Sequence, residues 1–349
     1  MSKCIAYIGT YSKGEHGGIF RVEIDDQTGD LKVLDTLDVE NPSHLALSPD
    51  GKYLYAASET GSFQGKLGGA VAACAVDPEG KLSLLNMEGT QGVAPCYVAV
   101  SPDGRFVYAA NYGQGTATVF AVDAQGRVCA DPQIVVHQGQ GANPRRQERP
   151  HVHITRVTPD GKYLAVCDLG IDAVVLYPLC ETCGLDKSRG SFVRTPDGDG
   201  PRHIEFSKDG KYAYVVTEMG CTVRAYAYAD GRMTFLSAIS TLPKDFAGQN
   251  IDAAIHFAPD GKTLVVSNRG HDSLALLDVD GGKMSVRQIV PVGGKTPREF
   301  AYTANGKFVF VCNQDSADIT VLAADADGNL RLTDKKYDLP KPVCLIWKN

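Results

Sequence analysis

A short phrase recurs six times along this 349-residue chain and limits the possible folds more than any other feature. The copies read LALSPDGKYLYAAS, VAVSPDGRFVYAAN, ITRVTPDGKYLAVCD, IEFSKDGKYAYVVTE, IHFAPDGKTLVVSN and FAYTANGKFVFVCN. Each copy has an apolar strand, an Asp-Gly or Asn-Gly turn, and a second apolar strand. Both dipeptides supply the positive φ angles that two-residue hairpin turns require. The phrase therefore predicts six β-hairpins with two-residue turns.

The spacing of the hairpins predicts the architecture. The turn glycines are Gly51, Gly104, Gly161, Gly210, Gly261 and Gly306, with gaps of 53, 57, 49, 51 and 45 residues. Further strand-like segments such as TATVFAVDAQGRV and CTVRAYAYADGRM lie between them, and no convincing amphipathic helix does. Roughly four strands per 40–50 residues, repeated around an axis, are typical of a β-propeller.

The two ends of the chain supply one more unit. The N-terminal segment has three strand-like stretches, CIAYIGTY, GIFRVEID and LKVLDTLD, without an inner strand before them, and KPVCLIWKN at the C-terminus is an inner strand without followers. Joining them closes the ring and hides the sheet edges. We therefore predict an all-β, seven-bladed β-propeller over residues 1–349 as a single domain, closed by pairing the N-terminal strands with the C-terminal strand. Its inner strands should include Leu45–Leu47, Val98–Val100, Ile204–Phe206 and Val343–Ile346.

Composition and charge argue against some classes of partner. Hydrophobic residues make up 43% of the chain, enough for a sizeable core, and the formal net charge of −6 argues against nucleic acid or an anionic membrane as partner. No apolar run approaches a membrane span, and the start lacks the apolar core of a secretory signal. Ten cysteines without such a signal predict reduced thiols and a cytoplasmic protein. We interpret Cys180–Cys183 (CETC) as a plain loop, and Cys74, Cys167 and Cys312 as small core residues.

Charged residues recur at equivalent positions of the hairpins. The residue seven before each turn Asp or Asn is Ser43, Cys96, His153, Arg202, Ala253 or Arg298. The residue eight after each turn glycine is Glu59, Tyr112, Leu169, Glu218, Arg269 or Gln314. One residue earlier lie Ser58, Asn111, Asp168, Thr217, Asn268 and Asn313.

In an antiparallel hairpin, the start of the first strand and the end of the second lie at the same end. His153, Arg202, Glu218, Arg269 and Arg298 should therefore meet at one mouth of the propeller channel. A single Arg or His at a strand end is usually a structural residue. Five such charges in a concave surface are costly unless they are paired or used, so together they predict a functional site.

An insertion, GQGANPRRQERPHVH, precedes the third hairpin. Its arginines, Arg145, Arg146 and Arg149, fit a loop over the same mouth and a solvated basic loop equally well. HVH places His151 and His153 on one face of a strand, which would suit a metal. No partner carboxylates or cysteines have convincing spacing, so we predict no metal site. P-loop, dinucleotide-binding and nucleophile-elbow motifs are absent from the sequence.

The chain resembles the seven-bladed propeller lactonases, typified by bacterial 6-phosphogluconolactonase of the propeller type. The resemblance covers nearly the whole sequence, through YIGTYS…GIFRVEID, LSPDGKYLYAA, RQERPHVHITRVTPDGKYLAVCDLG, GPRHIEFSKDGKYAYVVTE, VVSNRGHDSLAL and TPREFAYTANGKFVFVCNQDSADITV. This family also includes fungal carboxymuconate-lactonizing enzymes, for which a His, two Arg and a Glu have been proposed at the site. By motif these correspond to His153, Arg202, Glu218 and Arg269, which are four of the five charged residues that the turn alignment selects.

The resemblance implies a hydrolase that opens a sugar lactone, with 6-phosphogluconolactone as the main candidate. The expected catalytic residues are His153, Glu218, Arg202 and Arg269, with His153 or Glu218 as the base. Expected substrate-binding residues are Arg298, His203, Asp168 and Asn268. We expect no cofactor, and a small anionic sugar lactone as the partner. The alternatives are a lactonizing isomerase of the carboxymuconate type and a non-catalytic propeller that binds proteins.

Overall fold

The computed structural model describes residues 3–14 and 17–348, which form β-strands and connecting loops. The strands in chain order are β1 (Lys3–Thr10), β2 (Ile19–Asp25), β3 (Leu31–Leu37), β4 (Pro42–Leu47), β5 (Tyr53–Ser58), β6 (Ser62–Phe63), β7 (Lys66–Leu67), β8 (Ala70–Val76), β9 (Leu82–Gly89), β10 (Pro95–Val100), β11 (Phe106–Asn111), β12 (Thr116–Ala121), β13 (Gln133–Val136), β14 (Val152–Val157), β15 (Tyr163–Asp168), β16 (Ala173–Cys180), β17 (Gly184–Leu185), β18 (Ser191–Arg194), β19 (Pro201–Phe206), β20 (Tyr212–Thr217), β21 (Thr222–Ala229), β22 (Arg232–Ser240), β23 (Ile251–Phe257), β24 (Thr263–Arg269), β25 (Ser273–Asp280), β26 (Lys283–Pro291), β27 (Pro297–Tyr302), β28 (Phe308–Asn313), β29 (Asp318–Ala324), β30 (Leu330–Asp338) and β31 (Pro342–Trp347).

These strands form seven antiparallel blades and one small hairpin, β6-β7. The blades are β3-β2-β1-β31, β4-β5-β8-β9, β10-β11-β12-β13, β14-β15-β16 with β17 and β18, β19-β20-β21-β22, β23-β24-β25-β26 and β27-β28-β29-β30. Each inner strand contacts the next, in the order β4, β10, β14, β19, β23, β27, β31 and back to β4. The predicted all-β fold, the seven blades and the four predicted inner strands are confirmed.

The ring closes between the two ends of the chain. β31 pairs with β1 in antiparallel register, with Ile346 opposite Tyr7 and Leu345 opposite Ile8. Leu169–Ile171 and Lys187–Arg189 each form a single 3-10 turn. None of the helical segments described is both long and apolar enough to cross a membrane.

Burial explains why the hairpin strands read as continuous apolar runs. The second strands β5, β11, β15 and β20 are buried on both faces, because each blade packs between two others. Outer strands such as β3 and β30 are mostly exposed or half-buried after a buried first residue, since they lie at the rim of the ring. The difference between double and single burial therefore produces the two sequence patterns.

The hairpin turns differ from the predicted two-residue type. Gly51 has a φ of +68°, whereas no preceding Asp or Asn of the six turns has a positive φ. The Gly51 amide donates to the Ser48 carbonyl at 2.9 Å, and the Ser48 hydroxyl donates to Asp50 at 2.6 Å. Pro49 restricts φ to a value that suits the second position of a type I turn, so only the glycine enters the left-handed region. The prediction of two-residue turns was therefore wrong, although the hairpins are present.

One pair of cysteines also differs from expectation. Cys180 and Cys183 form a disulfide across a Cα–Cα distance of 5.4 Å, so the expectation of reduced thiols throughout was wrong here. The loop prediction for this segment is confirmed, because residues 181–183 form the turn between β16 and β17. Cys74, Cys167 and Cys312 lie fully buried in the core, as predicted.

Four charged side chains link neighbouring inner strands toward the turn end of the ring. Arg156 of β14 donates to Glu205 of β19 at 2.7 Å, and His256 of β23 contacts Glu299 of β27 at 2.6 Å. The second ring nitrogen of His256 lies 3.7 Å from Glu205. Burial opposes the imidazolium, but Glu299 and Glu205 outweigh it and raise the pKa of His256 to about 10. These charges compensate one another across four blades, so we interpret them as structural.

Replacing His256 with glutamine should destabilise the protein by about 1–3 kcal/mol at pH 6, because two part-buried carboxylates lose a charged donor. A raised histidine pKa stabilises the folded state below the unfolded pKa of about 6.5, and this contribution fades as pH rises toward 10. The difference in free energy of unfolding between wild type and variant should therefore shrink between pH 6.5 and pH 10, as measured by urea denaturation. A difference that stays constant over this range would contradict the role of the imidazolium.

Candidate active site

A β-bulge at the start of the inner strands aims the predicted residues at one mouth of the ring. In β14, Val152 pairs with Asp168 and Ile154 with Cys167, which leaves His153 unpaired. Arg202 in β19 and Arg298 in β27 are skipped in the same way. A bulge inserts one extra residue and re-aims its side chain. The position seven before the turn is therefore a bulge position, which is why charged side chains there can leave the sheet.

Glu218 is the centre of the charge cluster and lies directly after β20. Its Oε2 atom accepts from Arg202 Nε at 3.1 Å and from Arg269 Nη2 at 2.8 Å. Arg146 donates to the other oxygen, Oε1. The Glu218 side chain is only 4% exposed. Burial alone would raise its pKa, but Arg269, Arg202, His153 and Arg146 outweigh burial and hold the pKa of Glu218 well below its usual range.

His153 lies beside this carboxylate, and its Nε2 makes no hydrogen bond within the part of the chain that the structure describes. Its Nε2 atom is 3.9 Å from Glu218 Oε2, too far for a direct hydrogen bond. The ring packs edge-on against His203, with centroids 5.2 Å apart, and against Tyr112 at 5.7 Å. Burial, followed by the charge of Arg202, lowers the pKa of His153 well below its ordinary value. The imidazole is therefore neutral near pH 7 and can accept a proton.

Cys96 occupies the same bulge position in the neighbouring blade. Its Sγ atom lies 3.9 Å from His153 Nδ1 and donates to the His153 carbonyl at 3.5 Å. Burial raises the pKa of the Cys96 thiol above its ordinary value. A thiol that stays protonated and donates to the backbone is a poor nucleophile, so the Cys96–His153 pair does not resemble a cysteine-hydrolase dyad.

Arg298 borders the mouth from the last blade. Its guanidinium lies over the ring of Tyr11, 5.1 Å from the centroid, and Tyr11 donates to Glu59 at 2.8 Å. Within residues 3–14 and 17–348, the Arg298 guanidinium makes no hydrogen bond or ion pair. Burial opposes its charge, but Tyr11 and Glu59 outweigh burial and raise the pKa of Arg298. Arg298 therefore carries a charged guanidinium whose N–H donors bond none of the described residues.

Only one arginine of the insertion reaches the cluster. Arg146 Nη2 bonds Glu218 and also donates to the Tyr112 hydroxyl at 3.3 Å. Arg149 pairs instead with Glu148 at 3.2 Å, and Arg145 is exposed. The interpretation as a loop over the mouth therefore holds for Arg146, and the solvated alternative holds for the other two. The sequence left both alternatives open, and nothing in it distinguished these three arginines.

Three of the predicted substrate-binding residues, Asp168, Asn268 and His203, are buried and hydrogen-bond other parts of the protein. Asp168 is fully buried and accepts from the amides of His151 and Gly170 and contacts His137 Nδ1 at 2.7 Å. Asn268 is also fully buried, accepts from Thr241 at 3.0 Å and donates to Ser273 at 3.1 Å.

Neither Asp168 nor Asn268 hydrogen-bonds the five clustered charges. Asn111 and Asn313 occupy the same position in other blades and also bond the following strand. Direct substrate binding therefore does not fit Asp168 and Asn268, because side chains at this position of the hairpin hydrogen-bond neighbouring strands and loops. His203, 6% exposed, contacts Arg202 Nη1 at 3.1 Å and lies behind His153.

The HVH pair does not form a shared site. His151 contacts the Tyr112 carbonyl at 2.8 Å and stacks on the Tyr112 ring, while His153 follows the bulge. In the part of the chain that the structure describes, no three His, Cys, Asp or Glu side chains are placed to hold a metal ion.

Known proteins are similar to this chain over almost its whole length. Residues 5–347 match the family model described as lactonase, 7-bladed beta-propeller. A 6-phosphogluconolactonase from Bacillus subtilis is 34% identical over 99% of this chain and 98% of its own length. An uncharacterized protein from Staphylococcus saprophyticus is 35% identical over 97% of both chains. The solved structure of a periplasmic gluconolactonase from Pseudomonas aeruginosa is 33% identical, with a TM-score of 0.92 over 100% of this chain and 99% of that one.

Fold, ring closure and family model all agree over almost the entire chain, so the protein belongs to the lactonase family of seven-bladed β-propellers.

Proposed function

We propose that this protein is a lactone hydrolase that opens 6-phosphogluconolactone to 6-phosphogluconate. One observation supports this most: the neutral imidazole of His153 shares a channel mouth with the charged guanidinium of Arg298, which makes no hydrogen bond or ion pair with the described residues. The imidazole suits activation of water, and the arginine suits an anionic group on the substrate. Relatives named 6-phosphogluconolactonase and gluconolactonase support the same substrate class.

Ring opening then proceeds in two proton-balanced steps. His153 takes a proton from water while the water oxygen bonds to the lactone carbonyl carbon, and the carbonyl oxygen becomes an oxyanion. The oxyanion collapses and the bond from that carbon to the ring oxygen breaks. His153 returns its proton to the ring oxygen, which leaves as a hydroxyl group, and the new carboxylic acid ionises. One water is consumed, and the imidazole is regenerated neutral.

Glu218 suits this scheme as an electrostatic anchor and less well as the base. Both of its oxygens already accept hydrogen bonds from Arg202, Arg269 and Arg146, whereas His153 Nε2 bonds none of the described residues. Arg202 and Arg269, held by this carboxylate, supply positive potential where the oxyanion forms. His203 would act as a positioning residue, because it touches both Arg202 and His153.

Arg298 is the proposed contact for the phosphate, because a guanidinium binds phosphate bidentately. A phosphorylated substrate would place the enzyme in the cytoplasm, whereas the Pseudomonas relative is by name a periplasmic gluconolactonase. Three reactions should be assayed in parallel: hydrolysis of 6-phosphogluconolactone, hydrolysis of gluconolactone, and cyclisation of carboxymuconate. Activity with carboxymuconate alone would overturn the hydrolase proposal.

Replacing Arg298 with glutamine should raise KM for 6-phosphogluconolactone by about 10–100-fold, which corresponds to the ~1.5–3 kcal/mol of hydrogen bonds to a charged group. KM for unphosphorylated gluconolactone should change much less, because the lost contact is to the phosphate. For Arg298→Lys, KM for 6-phosphogluconolactone should lie between the values of wild type and Arg298→Gln, since lysine keeps the charge without the planar guanidinium. Initial rates over a concentration series test this, after subtraction of spontaneous hydrolysis. Equal effects on both substrates would rule out a phosphate contact.

A further inference from the structure

The loop of residues 137–151 carries Arg146 to the mouth in a defined conformation. Gln147 is fully buried, donates to the Leu169 carbonyl at 2.8 Å and accepts from the Asn143 amide at 2.9 Å. Gly141 lies against this side chain, and a Cβ at that position would lie 2.5 Å from Gln147 Cδ. Burial of Gln147 therefore anchors the loop directly beside Arg146.

Arg146 is the accessible member of the three guanidiniums around Glu218. Its side chain is 36% exposed, against 3% for Arg202 and 7% for Arg269. Both of its side-chain hydrogen bonds use Nη2, so Nε and Nη1 bond no described residue. Arg202 already uses Nε and Nη1, for Glu218 and His203. Arg269 keeps a donor without a partner at Nε, but that atom is buried. Among these three guanidiniums, Arg146 therefore offers the unbonded donors that are most exposed to a ligand.

The local charge leaves Arg146 able to hold a second anion. Three guanidiniums share the single carboxylate of Glu218, which leaves an excess of positive charge. Burial opposes the charge of Arg146, but Glu218 and Tyr112 outweigh burial and raise its pKa. A lactone ring develops negative charge on its carbonyl oxygen, and the product keeps a carboxylate there.

We propose that Arg146 is a catalytic residue that donates to the lactone carbonyl oxygen as it becomes an oxyanion, and then to the carboxylate of the product. This proposal rests on the proposed lactonase function and adds a second anion contact to it. Arg298 would hold the phosphate from the last blade, and Arg146 would hold the reacting carbonyl from the loop. The site would therefore favour lactones that carry an anionic group for Arg298 in addition to the reacting carbonyl.

The test compares Arg146→Gln and Arg146→Lys with Arg145→Gln, the matched change at the exposed neighbour. Arg146→Gln should lower kcat by about 10²–10³ with both 6-phosphogluconolactone and gluconolactone, as loss of an oxyanion donor does. Calorimetric titration should show 6-phosphogluconate and gluconate binding about tenfold or more weakly to this variant. Arg146→Lys should recover part of both losses, and Arg145→Gln should match wild type.

A residue that only positions Glu218 would give a different result. Product affinity would then equal that of Arg145→Gln while kcat fell, and this outcome would overturn the proposal. Circular dichroism and thermal melting establish whether each variant is folded. If Arg146→Gln does not fold, the comparison of Arg146→Lys with Arg145→Gln provides the test. A wild-type enzyme without lactonase activity would overturn the proposed function, whereas an active wild type with unaffected Arg146 variants would overturn only the role of Arg146.

Discussion

Replacing His153 with glutamine is expected to lower kcat by about 10²–10⁴, the usual contribution of general base catalysis. Glutamine keeps similar size and polarity, and so removes the titrating group with little loss of packing. The buried ring contacts His203 and Tyr112, and no direct hydrogen bond joins its Nε2 to Glu218. The loss should therefore fall on the chemical step, with KM nearly unchanged for both lactones.

The pH profile of the same variant provides an independent check. The pKa of His153 is lowered well below 6.5, so the neutral base is present at every pH above that lowered value. Wild-type kcat/KM should be flat from about pH 6.5 upward and fall only at more acidic pH. The acidic fall should disappear from the residual activity of His153→Gln. Spontaneous hydrolysis is subtracted at each pH.

Glu218→Gln separates the two candidate bases. This change leaves Arg202 and Arg269 buried without their carboxylate, so it should also destabilise the fold, by about 3–5 kcal/mol. Activity is therefore measured at a temperature where circular dichroism shows the variant folded. Near-wild-type kcat in His153→Gln, together with complete loss in folded Glu218→Gln, would make Glu218 the base.

Removal of residues 342–349 is expected to abolish stable folding. β31 supplies the inner strand of the first blade and contacts the inner strands on either side, β27 and β4. It buries Val343, Cys344 and Leu345, each at most 5% exposed. Burial of a large apolar side chain contributes about 1.5–3 kcal/mol, and a whole protein is stable by only about 5–15 kcal/mol. The deletion also exposes an edge of β1.

Circular dichroism and limited proteolysis of the truncated chain measure this effect. A milder pair of variants gives a graded result. Leu345→Ala, in the closing strand, should destabilise by about 2–5 kcal/mol, and Leu332→Ala, on an exposed position of β30, by much less. A truncated chain that melts with the same cooperativity and midpoint as the full chain would contradict closure of the ring through β31.

Local pattern was enough to predict the blades and the charge cluster at one mouth of the ring. The repeated phrase predicts hairpins because Gly51 and its equivalents are needed wherever the chain reverses, and this requirement is local. The alignment placed His153, Arg202 and Arg298 at one mouth because antiparallel pairing relates the ends of a hairpin directly. Closure between β1 and β31 followed from unpaired strands at both ends.

The sequence by itself therefore determined the seven blades, the closed ring and the position of the charge cluster. The tertiary structure decided which polar side chains reach the charge cluster. Asp168 and Arg202 both lie at hairpin ends, yet Asp168 is bonded to neighbouring backbone and Arg202 leaves the sheet through a bulge. Arg145 and Arg146 are adjacent and chemically identical, yet only Arg146 bonds Glu218, because burial of Gln147 orients the loop. Such choices depend on contacts between residues far apart in the chain, which no local spacing encodes.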